Sequence, residues 1–512
     1  MTGLGNVVDL FTAQAAERPT EAALIEGTGR RRHVTTFADL DRAGAEGAGR
    51  LATAGVRRGD RVLVLVPVSA RLYEVLAAVF RVGAVAVLVD PGAGIARLGE
   101  AVERVAPVAL VGTPKAHLLW LVVPTVRRIP IQLCVGGWVP GAERWGGGPP
   151  VVTAEVGEAA PALLTFTSGT TGRPKATVRT HGLLAAQHAA LSAALGLRSG
   201  QIDLATLPVV VLASLASGVT TVLADADLRR PGAIDAARLL RQIRAERPTR
   251  STASPALFER LLDAAAPDDL ISFERFDAGG APVFPDLLDR LKSHADAVAV
   301  YGSTEAEPIA HLHAHDLTDA DRQEIAAGGG LLAGRPVPEV DLRVVPDAWG
   351  TPLGPFSDVE WDRLGLAEGE VGEIVVAGAH VVPGYLDGEG DAETKVTVGD
   401  RRWYRTGDAG RLDAHGRLWL LGRCAAASRR GEAAVYPLQV EAAARAVGVR
   451  AGFVEIDGRR VMAFVGDPPA GLAEALAWAG IDEMVRVDAL PVDRRHNAKI
   501  DRDALIRSLR AR

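Results

Sequence analysis

Between residues 61 and 112 the sequence alternates between two kinds of segment, and this alternation restricts the possible folds more than any other feature. Short β-branched runs typical of buried strands alternate with segments whose apolar residues have helical spacing. In chain order the segments are 61–67 (strand), 70–83 (helix), 84–90 (strand), 95–106 (helix) and 107–112 (strand). A helix between successive strands makes the strands parallel, with helices on both faces of the sheet. The sequence therefore predicts an α/β fold.

The same pattern resumes after residue 160 and then changes. Residues 162–169 are a predicted strand that runs into a loop, and 183–197 are a predicted Ala/Leu-rich helix with Thr180 as its N-cap. From about 330 to 420, glycine and proline are frequent and short strands dominate, which indicates a small β subdomain. The segment after this looks like a separate small α/β unit.

We therefore predict two domains. Residues 1–423 are expected to form a large N-terminal domain of two doubly wound sheets plus the small β subdomain. Residues 424–512 are expected to form a small, mobile α/β C-terminal domain. With 512 residues, 48% of them apolar, the chain has length for roughly two to four structural units and can bury a large core.

Charge and composition argue against several classes of protein. A net charge of −6 and a pI of about 6.0 do not fit a nucleic-acid-binding protein, which usually has a basic surplus. The first residues lack the basic and apolar regions of a signal peptide, and the apolar runs are too short to span a membrane. Cys134 and Cys424 lack metal-ligand spacing, so we expect free thiols and a cytoplasmic location.

The strongest local motif is the segment 165–175, Thr-Phe-Thr-Ser-Gly-Thr-Thr-Gly-Arg-Pro-Lys. Its glycines allow backbone N–H groups to approach an anion, and its hydroxyls and the Lys175 ammonium add further donors. The segment is therefore a candidate phosphate-binding loop, with a mobile surface loop as the alternative. It is not a Walker A loop, because the glycine–lysine–serine/threonine ending is missing and Pro174 precedes the lysine.

Two further motifs combine a carboxylate with a turn. Val-Tyr-Gly-Ser-Thr-Glu at 300–305 suits a Mg²⁺–phosphate complex, with Glu305 on the metal; the alternative is a helix start capped by Ser303 or Thr304. Trp-Tyr-Arg-Thr-Gly-Asp at 403–408 places Asp408 on a predicted tight turn, which suits either ribose hydroxyls or an ordinary turn.

A weaker pattern lies at Gly92 and Gly94, which follow a predicted strand as in a dinucleotide fingerprint. The third glycine is misplaced, since position 97 is Arg97. We interpret the segment as a strand-to-helix turn.

Taken in order, the motifs resemble those of the adenylate-forming superfamily of acyl-CoA synthetases, nonribosomal-peptide adenylation domains and luciferases. The resemblance covers nearly the whole chain. The matching segments are TFTSGTTGRPK at 165–175, GGAP at 279–282, YGSTE at 301–305, GEIVVAG with a later GY at 372–385, YRTGD at 404–408, the Gly422–Arg423 pair and a terminal Lys499.

The resemblance implies a role for each matching residue. Phosphates would be bound by Thr167, Ser168, Gly169, Thr170, Thr171, Gly172 and Lys175, and the adenine pocket would be walled by Gly280, Ala281, Pro282 and Tyr301. Gly302 and Ser303 would belong to the nucleotide site, Thr304 would touch phosphate, Glu305 would hold Mg²⁺, Asp408 would bind the ribose with Arg423 nearby, and Lys499 would bridge the substrate carboxylate and the α-phosphate.

The implied reaction is the ATP- and Mg²⁺-dependent conversion of a hydrophobic carboxylic acid into an acyl-AMP. An anionic carboxylate must approach an anionic phosphate, so Mg²⁺ and Lys499 would supply positive charge. The resemblance also implies rotation of the C-terminal domain after adenylation, and delivery of the acyl group to coenzyme A as the leading interpretation.

Several positions depart from the family pattern. A charged hinge residue usually follows the Gly-Arg pair, but here Cys424 and three alanines follow it, and the next loop reads Arg429-Arg430-Gly431-Glu432. Other segments resemble one branch of the superfamily, the olefin-biosynthesis β-lactone synthetases: VDPGAG (89–94), GTPKAH (112–117), LATLPVVVLASLASGVTTV (204–222), SPALFERL (254–261) and PVDRRHNAKI (491–500). These enzymes adenylate a 3-hydroxy acid whose hydroxyl then closes on the acyl-AMP, and they need no coenzyme A tunnel, which fits the altered loop. β-Lactone formation is therefore the first alternative, and retention of only one half-reaction is the second. A nucleotide-binding protein without turnover and a nicotinamide oxidoreductase are further alternatives.

Overall fold

The computed structural model describes residues 5–89, 94–167, 175–431, 433–493 and 499–511. The chain divides into two compact units. The first comprises Met1–Asp225, Arg241–Thr249 and Gly384–Gly390, and the second comprises Ala226–Leu240, Arg250–Pro383 and Asp391–Arg512.

The first unit contains the elements up to residue 225. Its strands are β1 (Ala22–Glu26), β2 (His33–Thr36), β3 (Arg61–Leu65), β4 (Val85–Leu88), β5 (Ala109–Gly112), β6 (Ile131–Cys134), β7 (Glu143–Arg144), β8 (Pro161–Thr167), β9 (Lys175–Thr180), β10 (Ile202–Ala205) and β11 (Thr220–Leu223). Its helices are α1 (Asp9–Glu17), α2 (Phe37–Thr53), α3 (Ala70–Arg81), α4 (Ile95–Val105), α5 (Pro114–His117), α6 (Pro124–Arg127), α7 (His181–Leu195) and α8 (Pro208–Ala216), and α9 (Ala236–Glu246) follows in the chain.

The second unit contains most of the later elements. Its strands are β12 (Arg250–Ala253), β13 (Arg275–Gly279), β14 (Asp296–Ser303), β15 (Ala306–His313), β16 (Leu331–Pro336), β17 (Asp341–Val345), β18 (Gly372–Ala377), β19 (Lys395–Val398), β20 (Arg401–Leu412), β21 (Leu418–Arg423), β22 (Ser428–Arg430), β23 (Ala433–Val435), β24 (Arg450–Ile456), β25 (Arg459–Val465) and β26 (Glu483–Val487). Its helices are α10 (Pro255–Leu262), α11 (Pro285–Lys292), α12 (Asp319–Ala326), α13 (Asp358–Leu364), α14 (Asp391–Thr394), α15 (Pro437–Ala446), α16 (Leu472–Ala475) and α17 (Arg502–Arg510).

The first unit is organised around a sheet in the order β7-β6-β5-β3-β4-β8-β9, parallel except for β9. Alternate residues of β3 enter different cores: Val62 and Val64 pack with residues of α2 and α3, whereas Leu63 packs with residues of α4. Successive side chains of a strand point to opposite faces, so both faces of this sheet are covered by helices. The strands β10, β11 and β1 form a second parallel arrangement, to which β2 adds antiparallel.

In the second unit, β12, β13 and β14 are parallel. The sheet continues antiparallel through β15, β16, β21, β20, β18 and β17. Toward the C-terminus, β24, β25 and β26 form a small sheet whose core includes Val440 of α15 and Phe453.

The predicted fold class is confirmed, including the alternating elements of residues 61–112 and the β-rich region before residue 423. Thr180 caps α7 as predicted, since its Oγ1 accepts a hydrogen bond from the backbone N–H of Leu183 at 3.1 Å. The domain boundary at residue 423 stays a prediction. Within the described ranges, no helix is long and apolar enough to cross a membrane. The predicted turn at Gly92 lies outside the described residues.

Candidate active site

Two candidate segments lie at one edge of the sheet in the second unit. Strands β13 and β14 run parallel, with Gly279 paired to Val300. Gly280–Pro282, which follow β13, and Tyr301–Glu305, which comprise the end of β14 and the turn after it, therefore lie at neighbouring strand ends. Gly280 has a φ of +83°, a backbone conformation that favours glycine. The carboxyl edge of parallel strands is where open α/β sheets bind ligands.

The segment around Thr304 and Glu305 forms a tight hairpin turn. Ser303, the last residue of β14, pairs with Ala306, the first residue of β15, so Thr304 and Glu305 are the two residues of the loop. The alternative of a capped helix start is therefore wrong. The Oγ atom of Ser303 is buried and has no hydrogen-bond partner among the described residues, which fits a group that a ligand satisfies.

Asp408 is held by two side chains. The Tyr301 hydroxyl donates a hydrogen bond to Asp408 Oδ2 at 2.8 Å, and Arg423 Nε lies 3.1 Å from Asp408 Oδ1. Strand pairing sets this geometry, because Asp408 of β20 lies directly opposite Arg423 of β21. Burial, together with the Asp408 carboxylate, raises the pKa of Tyr301 well above its ordinary value. Tyr301 therefore stays a hydrogen-bond donor, and Asp408 has a fixed orientation.

Glu305 is buried next to a second tyrosine. The hydroxyl of Tyr404 lies 3.4 Å from Glu305 Oε2, and the backbone carbonyl of Glu305 accepts a hydrogen bond from Val382 N–H at 2.8 Å. Lys395, also buried, lies over the Tyr404 ring at 4.3 Å and donates to the carbonyl of Val382 at 2.5 Å. A carboxylate is the protein group that Mg²⁺ usually takes as a ligand, together with waters and substrate phosphates.

Lys499 is an exposed residue of the C-terminal region. Its backbone N–H donates to Asp493 Oδ1 at 3.0 Å, and its carbonyl accepts from the N–H of Asp493 at 2.8 Å. These two bonds lie next to an isolated antiparallel bridge between Val492 and Ile500. Residues 494–498 of the predicted lysine loop lie outside the described residues.

In the first unit, Lys175 is the first residue of β9 and pairs with Thr167 of β8. Its side chain is buried, with the ammonium 5.4 Å from the Tyr385 ring. A side chain at Gly390 would collide with it, because an added Cβ would lie 2.4 Å from Lys175 Nζ. The candidate loop residues Ser168, Gly169, Thr170, Thr171 and Gly172 lie outside the described residues.

Sequence analysis missed a buried ion pair beside the ribose candidate. Arg405 and Glu373 are both fully buried, and Arg405 Nη2 donates to Glu373 Oε2 at 2.6 Å. Arg405 also donates to the carbonyl of Thr351 at 2.6 Å and lies 5.4 Å from the Trp349 ring. Glu373 belongs to the GEIVVAG segment at 372–378 and Arg405 to the YRTGD segment at 404–408. A charged residue inside each predicted strand was the sequence feature that could have indicated a buried ion pair. The pair fixes the strand that carries Asp408.

The fold and these groups define a nucleotide-using α/β enzyme, with carboxylates and hydroxyls gathered at a sheet edge. The AMP-binding enzyme family matches residues 11–386. The chain belongs to that family of adenylate-forming enzymes, and its reaction is the activation of a carboxylic acid as an acyl-AMP with ATP and Mg²⁺.

Individual relatives agree with this assignment. An olefin β-lactone synthetase of Stenotrophomonas maltophilia is 34% identical, over 98% of this chain and 97% of that protein. A feruloyl-CoA synthase of an Amycolatopsis species is 30% identical, over 79% of this chain and 77% of that protein. Among solved structures, the amide bond synthetase McbA from Marinactinospora thermotolerans has a similar fold, with a TM-score of 0.80, 23% identity and coverage of 98% of this chain and 99% of that one.

Proposed function

We propose that the described groups of the second unit hold the nucleotide and the metal. Asp408, oriented by Tyr301 and Arg423, accepts hydrogen bonds from the ribose hydroxyls. Glu305 binds Mg²⁺, and the unpartnered Oγ of Ser303 donates to a phosphate oxygen. The buried Ser303 Oγ supports its role, because a buried polar atom normally has a hydrogen-bond partner.

In adenylation, a carboxylate oxygen attacks the α-phosphorus and pyrophosphate leaves. Both reactants are anionic, so the step needs positive charge where the new bond forms. We assign this charge to Lys499 and to the Mg²⁺ at Glu305, and charge for the departing phosphates to Lys175.

For the fate of the acyl-AMP, we propose closure to a β-lactone. The observation that carries this proposal is the likeness to the Stenotrophomonas enzyme, which extends over 98% of this chain and so includes the C-terminal region. In this step the 3-hydroxyl oxygen of the substrate attacks its own acyl carbon, and the bond between that carbon and the AMP oxygen breaks. AMP leaves, and the hydroxyl proton is lost to the medium.

The junction after the Gly422–Arg423 pair supports this proposal. Cys424 is buried with Ala409, Leu421 and Tyr436 in a small apolar cluster. Asp347 accepts a hydrogen bond from the Tyr436 hydroxyl at 2.9 Å and forms an ion pair with Arg429. Rotation of the C-terminal region about this point would open the cluster and separate these groups. Lactone closure uses a nucleophile that the bound acid already carries, so it does not require that rotation.

Transfer to coenzyme A is the second candidate. It is favoured by the likeness to the feruloyl-CoA synthase over 79% of this chain. In this case the thiol sulfur attacks the acyl carbon and AMP leaves in the same way. The two candidates share the adenylation site and differ only in the nucleophile.

The test is mass spectrometry of the products formed from a 3-hydroxy acid labelled with ¹⁸O in the hydroxyl. The matched substrate is the same acid without the hydroxyl, and each is incubated with ATP and Mg²⁺, with and without coenzyme A. The proposal predicts a product one water lighter than the acid that keeps the label and does not depend on coenzyme A. The unhydroxylated acid should stop at acyl-AMP. Thioesters formed from both acids would instead establish the second candidate, and a lighter product without the label would indicate simple dehydration.

A further inference from the structure

Three histidines recur at every second position near the end of β15: His311, His313 and His315. His311 and His313 are alternate residues of β15 and so point to the same face, and His315 lies in the turn that follows the strand. The ring centroids are 5.7 Å apart for His311 and His313 and 5.0 Å apart for His313 and His315. The nucleotide site does not use these residues. His311 and His313 border a cleft of about 470 Å³, together with Asp316, Arg335 and His415.

A carboxylate completes this row. Asp296 is the first residue of β14. Its Oδ1 lies 3.2 Å from Nδ1 of His313 and 3.7 Å from Nδ1 of His315. The ligand atoms of the three residues all lie within 4.8 Å of one another. Asp316 adds a second carboxylate, with Oδ1 3.6 Å from Nε2 of His315.

We propose that Asp296, His313 and His315 form a binding site for one first-row transition-metal ion of the Zn²⁺ class. Ligand atoms about 2.0–2.1 Å from a tetrahedral Zn²⁺ are roughly 3.3–3.4 Å from each other, and the observed separations of 3.2 and 3.7 Å lie on either side of that value. Two imidazoles with one carboxylate favour such an ion over Mg²⁺ or Ca²⁺, which prefer oxygen ligands. This set leaves a fourth position open to water.

The proposed metal site and the proposed Mg²⁺ site lie at opposite ends of one hairpin. Strand β14 begins at Asp296 and ends at Ser303, next to Glu305. With about 3.4 Å per residue, its eight residues separate the two sites by roughly 25 Å. The ion would therefore take no part in adenylation. By joining β14 to the segment after β15, it would stabilise the hairpin that carries Glu305 and Tyr301.

The experiment is equilibrium dialysis of Zn²⁺ with the full chain, purified without a polyhistidine tag. We expect one Zn²⁺ per chain and at least tenfold weaker binding in both His313→Asn and His315→Asn. The matched control is His33→Asn, which changes an exposed histidine of β2 in the first unit. The His315 side chain is 61% exposed, so its replacement should leave folding intact even if that of His313 does not.

Co²⁺ provides a second readout, since a tetrahedral site gives it intense visible absorption. The wild-type protein and His33→Asn should show this absorption, and His315→Asn should lose it. Equal Zn²⁺ binding in the wild-type protein and His315→Asn, or the absence of stoichiometric binding in the wild-type protein, would overturn the proposal.

Discussion

Replacement of Arg405 by methionine should strongly destabilise the protein. The variant removes a fully buried guanidinium and leaves the equally buried Glu373 carboxylate without its ion-pair partner. Removing one member of a buried ion pair typically lowers the free energy of unfolding by about 3–5 kcal/mol. The hydrogen bond to the carbonyl of Thr351 is lost as well, so we expect the upper half of that range.

The matched control is Arg402→Met, on the same strand. The Arg402 side chain is 45% exposed and its Nη2 lies 3.6 Å from Asp391 Oδ2; an ion pair with such an exposed arginine contributes about 0–1 kcal/mol. Denaturant unfolding followed by tryptophan fluorescence compares the two variants, and Trp349 lies close enough to Arg405 to report on the site. The double variant Arg405→Met/Glu373→Leu should regain part of the loss, because no buried carboxylate is left unpaired.

The loss in Arg405→Met should also depend on pH. Burial raises the pKa of Glu373 even with Arg405 present, and removing the guanidinium raises it further. Between the unfolded value of about 4.3 and the raised folded value, folded Glu373 keeps a proton that the unfolded chain has released. Stability of the variant should therefore fall as the pH rises from 5 to 8. A variant as stable as Arg402→Met, or a deficit that does not change with pH, would refute this reasoning.

Three further predictions concern the proposed nucleotide site. Asp408→Asn should raise the KM for ATP at least tenfold in a pyrophosphate-release assay, whereas Tyr301→Phe, which removes one hydrogen bond to Asp408, should have a smaller effect; equal effects would argue against a ribose contact. Glu305→Gln should shift the Mg²⁺ dependence of the rate to higher concentration, and an unchanged Mg²⁺ titration would exclude it as a ligand. Lys499→Ala should lower the adenylation rate about 10²–10³-fold with little change in ATP affinity by calorimetry, and a wild-type rate would remove the assigned role.

The α/β framework could be predicted from the sequence because period and length are local properties. The strand at 61–67 and the helix at 70–83 were recognisable from their side-chain spacing, and the structure places them at Arg61–Leu65 and Ala70–Arg81. The hairpin turn at Thr304 and Glu305 could not be predicted from local spacing, because a Ser-Thr-Glu segment suits both a helix cap and a turn. Only pairing with β15 distinguishes them.

Contacts between distant residues were also beyond sequence reasoning. The pairing of Asp408 with Arg423 follows from strand register, and the contact with Tyr301 joins residues 107 positions apart. Arg405 is a second example. From sequence alone, a charged residue in a motif suggests ligand binding, and only the structure shows that its partner is the buried Glu373. The metal-site candidate was overlooked because Asp296 approaches His313 only when β14 and β15 pair.

The most direct test of the central claim is the position at which ATP is cleaved. The protein is incubated with ATP, Mg²⁺ and a panel of bulky and 3-hydroxylated acids, and the nucleotide products are identified for each acid that stimulates turnover, with Lys499→Ala as the control. An adenylate-forming enzyme must form pyrophosphate and AMP in equal amounts, with the AMP either free or still joined to the acyl group, and the variant should form far less of both. Release of ADP and phosphate would contradict the account.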